Sequence, residues 1–277
     1  MCSETNALGV KKEIMNEEFW LSSWDTVVVK VGSNVLAWSD NWVNLKNIEN
    51  IVNEISYLME IWLNVFLVSS WAVAIWKNIE NAEYRRNEDE SKIAFYSTIW
   101  QSKLIEFYFN LFNKKNIKVS QNLLTHNDFE EERRLKHLKN VWKHNTQNWV
   151  LAIINENDAI SKEELWFSDN DKLAWLVAKA INAKVLILLS DINWIYKNFW
   201  KNNEELIETI SDTSKIESEI VKKLELSNWT WWAKSKLDVM QEMMNIWVTW
   251  ILSNWWEENI IQKIFSWKNC NKTIFRV

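Results

Sequence analysis

Residues 26–33 read Thr-Val-Val-Val-Lys-Val-Gly-Ser. Five of the first six are β-branched and the valines do not alternate with polar residues, the pattern of a strand buried on both faces. Lys30 emerges near the end of this run and is followed by Gly32, Ser33 and Asn34. An ammonium placed there stands beside backbone N–H groups that can hold a phosphate. Taken alone, a lysine surfacing at a strand end is the plainer reading of the segment.

Working outward, the same kind of apolar run recurs at Asn64–Ser69, Val119–Leu124, Val150–Ile154, Lys184–Leu189, Val248–Leu252 and Lys272–Val277. Helical periodicity lies between them. It is clearest over Val43–Ile61, where Leu45, Ile48, Ile51, Val52, Ile55, Leu58 and Met59 keep i, i+3, i+4 spacing. Further helices are expected near Ser102–Phe112, Lys172–Ile181 and Ala233–Ile246. Strands alternating with amphipathic helices make βαβ units, so the expected fold class is α/β, a three-layer αβα sandwich with a mainly parallel open β-sheet. Ligands of such a sheet sit at the carboxyl ends of its strands. Residues 1–23 are polar and acidic and read as an N-terminal extension, leaving 24–277 as one domain. Tyr196–Glu208 interrupts the pattern as an excursion or hairpin.

The formal net charge of −5, without any basic block, gives no footprint for nucleic acid or anionic lipid. No run approaches the roughly 18 apolar residues of a membrane helix, and the first residues lack an export pattern, so no membrane partner and a cytoplasmic location are expected. Cys2 and Cys270 stand far apart, and His126, His137 and His144 lack metal-ligand spacing, so no metal site is expected from these residues. Glu130–Lys143 reads as a solvated charged helix, and Phe107, Tyr108, Phe109 and Phe112 as core or a contact between subunits of a homo-oligomer.

Three counts are abnormal: Gly 2, Pro 0 and Trp 22. At the usual ~7%, a chain of this length holds roughly 19 glycines, a number that glycine and tryptophan together cover. Trp71 follows a buried strand, Trp229, Trp231 and Trp232 crowd one loop, and Trp255 and Trp256 follow another strand. These are places where a chain needs a residue tolerant of positive φ. The expectation is that tryptophan stands in glycine slots, as a codon read in two ways would produce.

Several polar clusters adjoin the strands. Ser69-Ser70-Trp71 follows the second, where a helix N-terminus could receive an anion or Ser70 could simply cap that helix. Asn155-Glu156-Asn157-Asp158 and Ser168-Asp169-Asn170-Asp171 carry amides and carboxylates suited to ammonium and hydroxyl donors. Turn formation, with Asp171 capping the next helix, explains them equally. Ser190-Asp191 ends another strand. With glycine in place of tryptophan, residues 228–236 become Asn-Gly-Thr-Gly-Gly-Ala-Lys-Ser-Lys, a flexible turn that can wrap polyphosphate while Lys236 neutralises charge, although the spacing is not that of a Walker A loop.

VVVKVGSNVL, LVSS(W)AVA, LAIINENDAI, SDND, ILLSD and N(W)T(W)(W)AKSK stand in the order and approximate spacing of the amino-acid kinase family. The chain resembles that family over about residues 25–265, and most closely its glutamate 5-kinase branch in the short form without a C-terminal PUA domain. Tryptophan stands at 71, 76, 231 and 232 where the family has glycine. The resemblance implies the amino-acid kinase fold and transfer of the ATP γ-phosphoryl group to the side-chain carboxylate of L-glutamate, the first step of proline synthesis. It implies Lys30 and Lys236 as catalytic cations with Asp171 orienting them, and Ser70, Asp158 and Asn170 as glutamate ligands. Lys30, Ser190, Asp191, Thr230, Trp231, Trp232, Ala233, Lys234, Ser235 and Lys236 would line the ATP site, with Mg2+ carried on the ATP phosphates. Ser168, Ala152 and Ser190 replace the family's usual glycine, proline and threonine, and Ala233 and Lys234 also depart from it. Another amino-acid or carbamate kinase, or a non-catalytic relative with genuine indoles in the loops, is the competing expectation.

Overall fold

The computed structural model describes residues 13–16, 19–32, 45–70, 90–161, 170–190, 196–197, 205–211, 248–266 and 270–275. Its strands are β1 (Glu13–Asn16), β2 (Phe19–Ser22), β3 (Thr26–Val31), β4 (Asn64–Ser69), β5 (Lys118–Leu124), β6 (Val150–Glu156), β7 (Val185–Ser190), β8 (Tyr196–Lys197), β9 (Glu205–Leu206), β10 (Thr209–Ile210), β11 (Thr249–Asn254) and β12 (Lys272–Phe275). The helices are α1 (Leu45–Glu60), α2 (Glu90–Lys114), α3 (Asn127–Glu130), α4 (Glu132–Gln147), α5 (Asp171–Ala180) and α6 (Ile260–Phe265).

Eight strands form one sheet in the order β10-β12-β11-β7-β3-β4-β6-β5. All neighbours run parallel except β11 and β12. β1 and β2 form an antiparallel pair, and β8 and β9 another within the Tyr196–Glu208 excursion. The chain order of β3, β4, β6 and β7 jumps sides at β3: β4 and β6 lie to one side, β7 and β11 to the other. Such a switch opens a crevice at the carboxyl edge.

Period-two alternation divides the sheet's side chains between two cores. Val27, Val29, Val31, Val65, Leu67, Leu151, Ile153, Val185, Ile187 and Leu189 face α1, α2 and α6, whose Ile48, Ile55, Leu104, Tyr108, Phe112 and Ile264 are buried with them. Val28, Phe66, Val68, Ile154, Leu186 and Leu188 face α4 and α5 through Trp142, Leu173, Ala174, Val177 and Ala178. Leu21 of β2 belongs to the first core. This is the three-layer architecture that the sequence pattern implies.

The differences from expectation have local causes. α2 begins a dozen residues before the expected Ser102. Buried polar Ser97 and Gln101 interrupt its apolar stripe, so periodicity alone does not reveal the first turns. α6 was not expected. Its N-cap Asn259 makes no side-chain cap, and the backbone N–H of Gln262 is met instead by Glu54 Oε2 of α1 at 3.0 Å. Burial drives that carboxyl up to about 7 against the bonds from Gln262 and Ile261. The expected helix Ala233–Ile246 lies outside the described residues. Among the described residues, no helix is long and apolar enough to cross a membrane.

Candidate active site

Lys30 is the fifth residue of β3, on the same face as Val28, and that face is covered by α5. The lysine side chain is only 6% exposed, and a buried ammonium requires a partner. Asp171, which opens α5, supplies it: Oδ1 lies 2.7 Å from Nζ. A carboxylate in the first turn of a helix is also favoured by the helix N-terminus. The alternation of β3 and the start of α5 therefore bring together two residues 141 positions apart in the chain.

Asn170 precedes Asp171 at the N-cap position, but its side chain does not cap the helix. Its Nδ2 donates to the Ser69 carbonyl at 3.0 Å and to Asn155 Oδ1 at 2.6 Å. Asn155 Oδ1 also accepts the Glu156 N–H at 2.9 Å. These bonds tie the carboxyl ends of β4 and β6 to the start of α5, and the helix-cap reading of Asp171 is set aside because Asn170 holds the cap position. On the other side of β4, the Ser69 hydroxyl meets the Tyr108 hydroxyl of α2 at 3.3 Å. Ser70 follows, with its Oγ buried and without a hydrogen-bond partner. A polar atom left in that state fits a group supplied by a ligand.

Asp158 stands in the turn after β6. Burial first, and then the neighbouring charge of Glu156, raise its carboxyl to about 7. Glu156 itself accepts the Ser161 hydroxyl at 2.7 Å. Ser190 ends β7, and its carbonyl receives the Trp255 N–H at 3.0 Å. Lys30, Ser70, Asp158, Asn170, Asp171 and Ser190 thus all belong to the carboxyl edges of β3, β4, β6 and β7 or to the helix that starts beside them. Asp191 and the run Thr230, Trp231, Trp232, Ala233, Lys234, Ser235 and Lys236 lie outside the described residues. Among the described residues no group of three His, Cys, Asp or Glu side chains could hold a metal ion.

Ser69 and Asn155, which the sequence places in polar clusters without a role of their own, and Tyr108, which it places among core or contact aromatics, also belong to the site. Asn155 carried a signal, since it is the first polar residue after five apolar ones in β6. Tyr108 carried none, because it is one of several aromatics in a helical run.

The amino acid kinase family model matches residues 25–228, and the chain belongs to that family. Its relatives include the glutamate 5-kinase of Alkaliphilus metalliredigens, 30% identical over 243 residues, which span 86% of this chain and 90% of that protein. The Clostridium acetobutylicum glutamate 5-kinase is 33% identical over 72% of this chain and 74% of its own length. That of Bacteroides thetaiotaomicron is 37% identical over 61% of this chain, and the aligned region spans about half, 47%, of that longer relative. Among solved structures, the UMP kinase of Ureaplasma parvum superposes with a TM-score of 0.61 at 16% identity, covering 91% of this chain and 98% of that one, a likeness of fold.

Proposed function

We propose that this chain transfers the γ-phosphoryl group of ATP to the side-chain carboxylate of L-glutamate. A carboxylate oxygen forms a bond to the γ-phosphorus as the bond to the leaving oxygen breaks, giving glutamyl 5-phosphate and ADP. Both reactants are anionic, so catalysis needs fixed positive charge where their oxygens meet and a frame that holds them in line. The observation that carries the reading is the buried Lys30–Asp171 pair beside the carboxamide network of Asn170, Asn155 and the Ser69 carbonyl.

Asp171 fixes the position of the Lys30 ammonium without acting as a base, since a carboxylate acceptor has no proton to lose. Lys236, in the later half of the sequence, is the second cation in this proposal. Asp158 pairs with the substrate ammonium, Ser70 donates its hydroxyl to a substrate oxygen, and Asn170, whose Nδ2 donates to Ser69 and Asn155, offers its Oδ1 to the ammonium. Ser190, Asp191 and residues 230–236 hold the nucleotide. Mg2+ carried on ATP would neutralise phosphate charge, with few direct protein ligands. Residues 24–277 form the kinase domain, preceded by an extension over 1–23.

The test is ADP release with L-glutamate, L-aspartate or N-acetylglutamate as acceptor. Release with L-glutamate is expected. Release with only the other two overturns the choice of substrate, and absence of ATP binding by calorimetry overturns the kinase reading.

A further inference from the structure

We infer that the polypeptide made in its own cell carries glycine at Trp24, Trp62 and Trp149, and that a codon rendered as tryptophan in this sequence is read there as glycine. Three helices return to the sheet through the same two-bond turn, and a fourth shares its first bond. After α1, the Trp62 N–H bonds the Met59 carbonyl and the Leu63 N–H the Leu58 carbonyl. After α2, Asn116 bonds Asn113 and Ile117 bonds Phe112 in the same way, and after α5, Asn182 bonds Lys179 and Ala183 bonds Ala178. After α4, Trp149 bonds Thr146. Each turn places one residue in the left-handed region: Trp62 at φ 70°, Asn116 at 61°, Trp149 at 53° and Asn182 at 51°.

This is the helix-ending motif whose left-handed position belongs to glycine and secondarily to asparagine. Asparagine fills two of the four turns as the motif demands. Tryptophan, a bulky residue for which this region is a true outlier, fills the other two. Trp24 repeats the conflict at φ 75° in the turn from β2 to β3. Among the described residues the other left-handed positions are all asparagines, and Trp255 and Trp256, expected at such positions, are not left-handed.

A second observation is independent of φ. Trp175, Trp250 and Trp255 are buried with indole N–H groups that find no acceptor, whereas a buried indole ordinarily has one, as Trp142 does at Asn122 Oδ1, 3.2 Å away. The three left-handed indoles touch one another, with ring centroids 4.8 to 5.9 Å apart, and Trp24 and Trp62 are about half exposed. That trio could pass for a docking patch, but docking does not explain why an indole occupies a glycine position.

Peptide mapping of the protein isolated from the cells that encode it decides the matter. Peptides spanning residues 24, 62 and 149 are expected to be about 129 Da lighter per exchange than tryptophan peptides, the mass of the side chain that glycine lacks. Tryptophan at these positions overturns the inference. Recombinant chains with tryptophan or glycine at all three give a second reading. Each exchange is expected to favour the folded state by about 5- to 30-fold in denaturant titrations. Equal stability overturns the backbone reasoning.

A different observation carries a second proposal, which rests on the glutamate kinase reading. The structure assigns Tyr108 as a positioning residue for substrate. It is fully buried, burial pushes its hydroxyl up to about 12, and so it reaches Ser69 as a neutral hydroxyl. Ser69 in turn lends its carbonyl to Asn170 and precedes the partnerless Ser70 hydroxyl. Tyr108→Phe removes that one hydrogen bond and keeps the ring stacked on Phe112. The expected result is a KM for L-glutamate raised about 2- to 10-fold, with the KM for ATP unchanged. An unchanged glutamate KM in an enzyme whose parent phosphorylates glutamate overturns the role of Tyr108, while a parent that does not phosphorylate glutamate overturns the underlying reading instead.

Discussion

Replacing Lys30 by methionine keeps most of the side chain's volume and removes its charge. Asp171 Oδ1 then loses a partner at 2.7 Å in a setting where its side chain is only 12% exposed. Breaking a buried pair on one side costs about 3–5 kcal/mol, a large part of the roughly 5–15 kcal/mol that holds a domain together. The Asp171 carboxylate, only 12% exposed, then keeps its negative charge without the lysine's positive one. Adding Asp171→Asn removes that charge, so the double variant should recover most of the loss in urea unfolding. Activity should behave otherwise. Losing one preorganised cation at a developing phosphoryl charge costs about 10²–10³ in turnover, and the second substitution restores none of it. Coupled ADP release measured on both variants separates the two effects. A double variant that turns over within tenfold of the parent would refute a catalytic role for Lys30, and a single variant as stable as the parent would refute the energetic importance of the pair.

Three further outcomes follow from the geometry. Glu54 titrates at about 7 in the folded chain against an ordinary 4.5, so its contribution to stability is present below the lower value and is lost as pH rises through the upper. That loss amounts to about 3 kcal/mol, and Glu54→Gln, which keeps an acceptor for the Gln262 amide, should flatten the dependence of the urea midpoint on pH by that amount. Parallel profiles for the two proteins would contradict it. Asp158, raised to about 7, must lose its proton before it can pair with an ammonium. The kcat/KM for L-glutamate should therefore rise with pH through that range, and Asp158→Asn should lower it and remove this step from the profile. Ser70→Ala deletes a hydroxyl that has no partner within the protein. It should raise the KM for L-glutamate about 2- to 10-fold with little effect on the thermal midpoint, since no internal bond is lost.

Much of this protein is determined by sequence alone. The uninterrupted β-branched run of β3 and the 3.6-residue stripe of α1 depend on local patterns of burial, so strands, helices and the parallel α/β architecture are legible without coordinates. Lys30 and Asp171 could each be marked, because each lies at the end of an apolar element. Their pairing could not, since it depends on which face of β3 the α5 helix covers, a consequence of chain crossover rather than of either segment. The same holds for Tyr108 at Ser69, Asn170 at Asn155, and Glu54 at the start of α6. Composition showed that tryptophan was too common and glycine too rare. Only the folded backbone, in which a helix must end on a left-handed residue before the chain can re-enter the sheet, decided which of those tryptophans conflict with their positions.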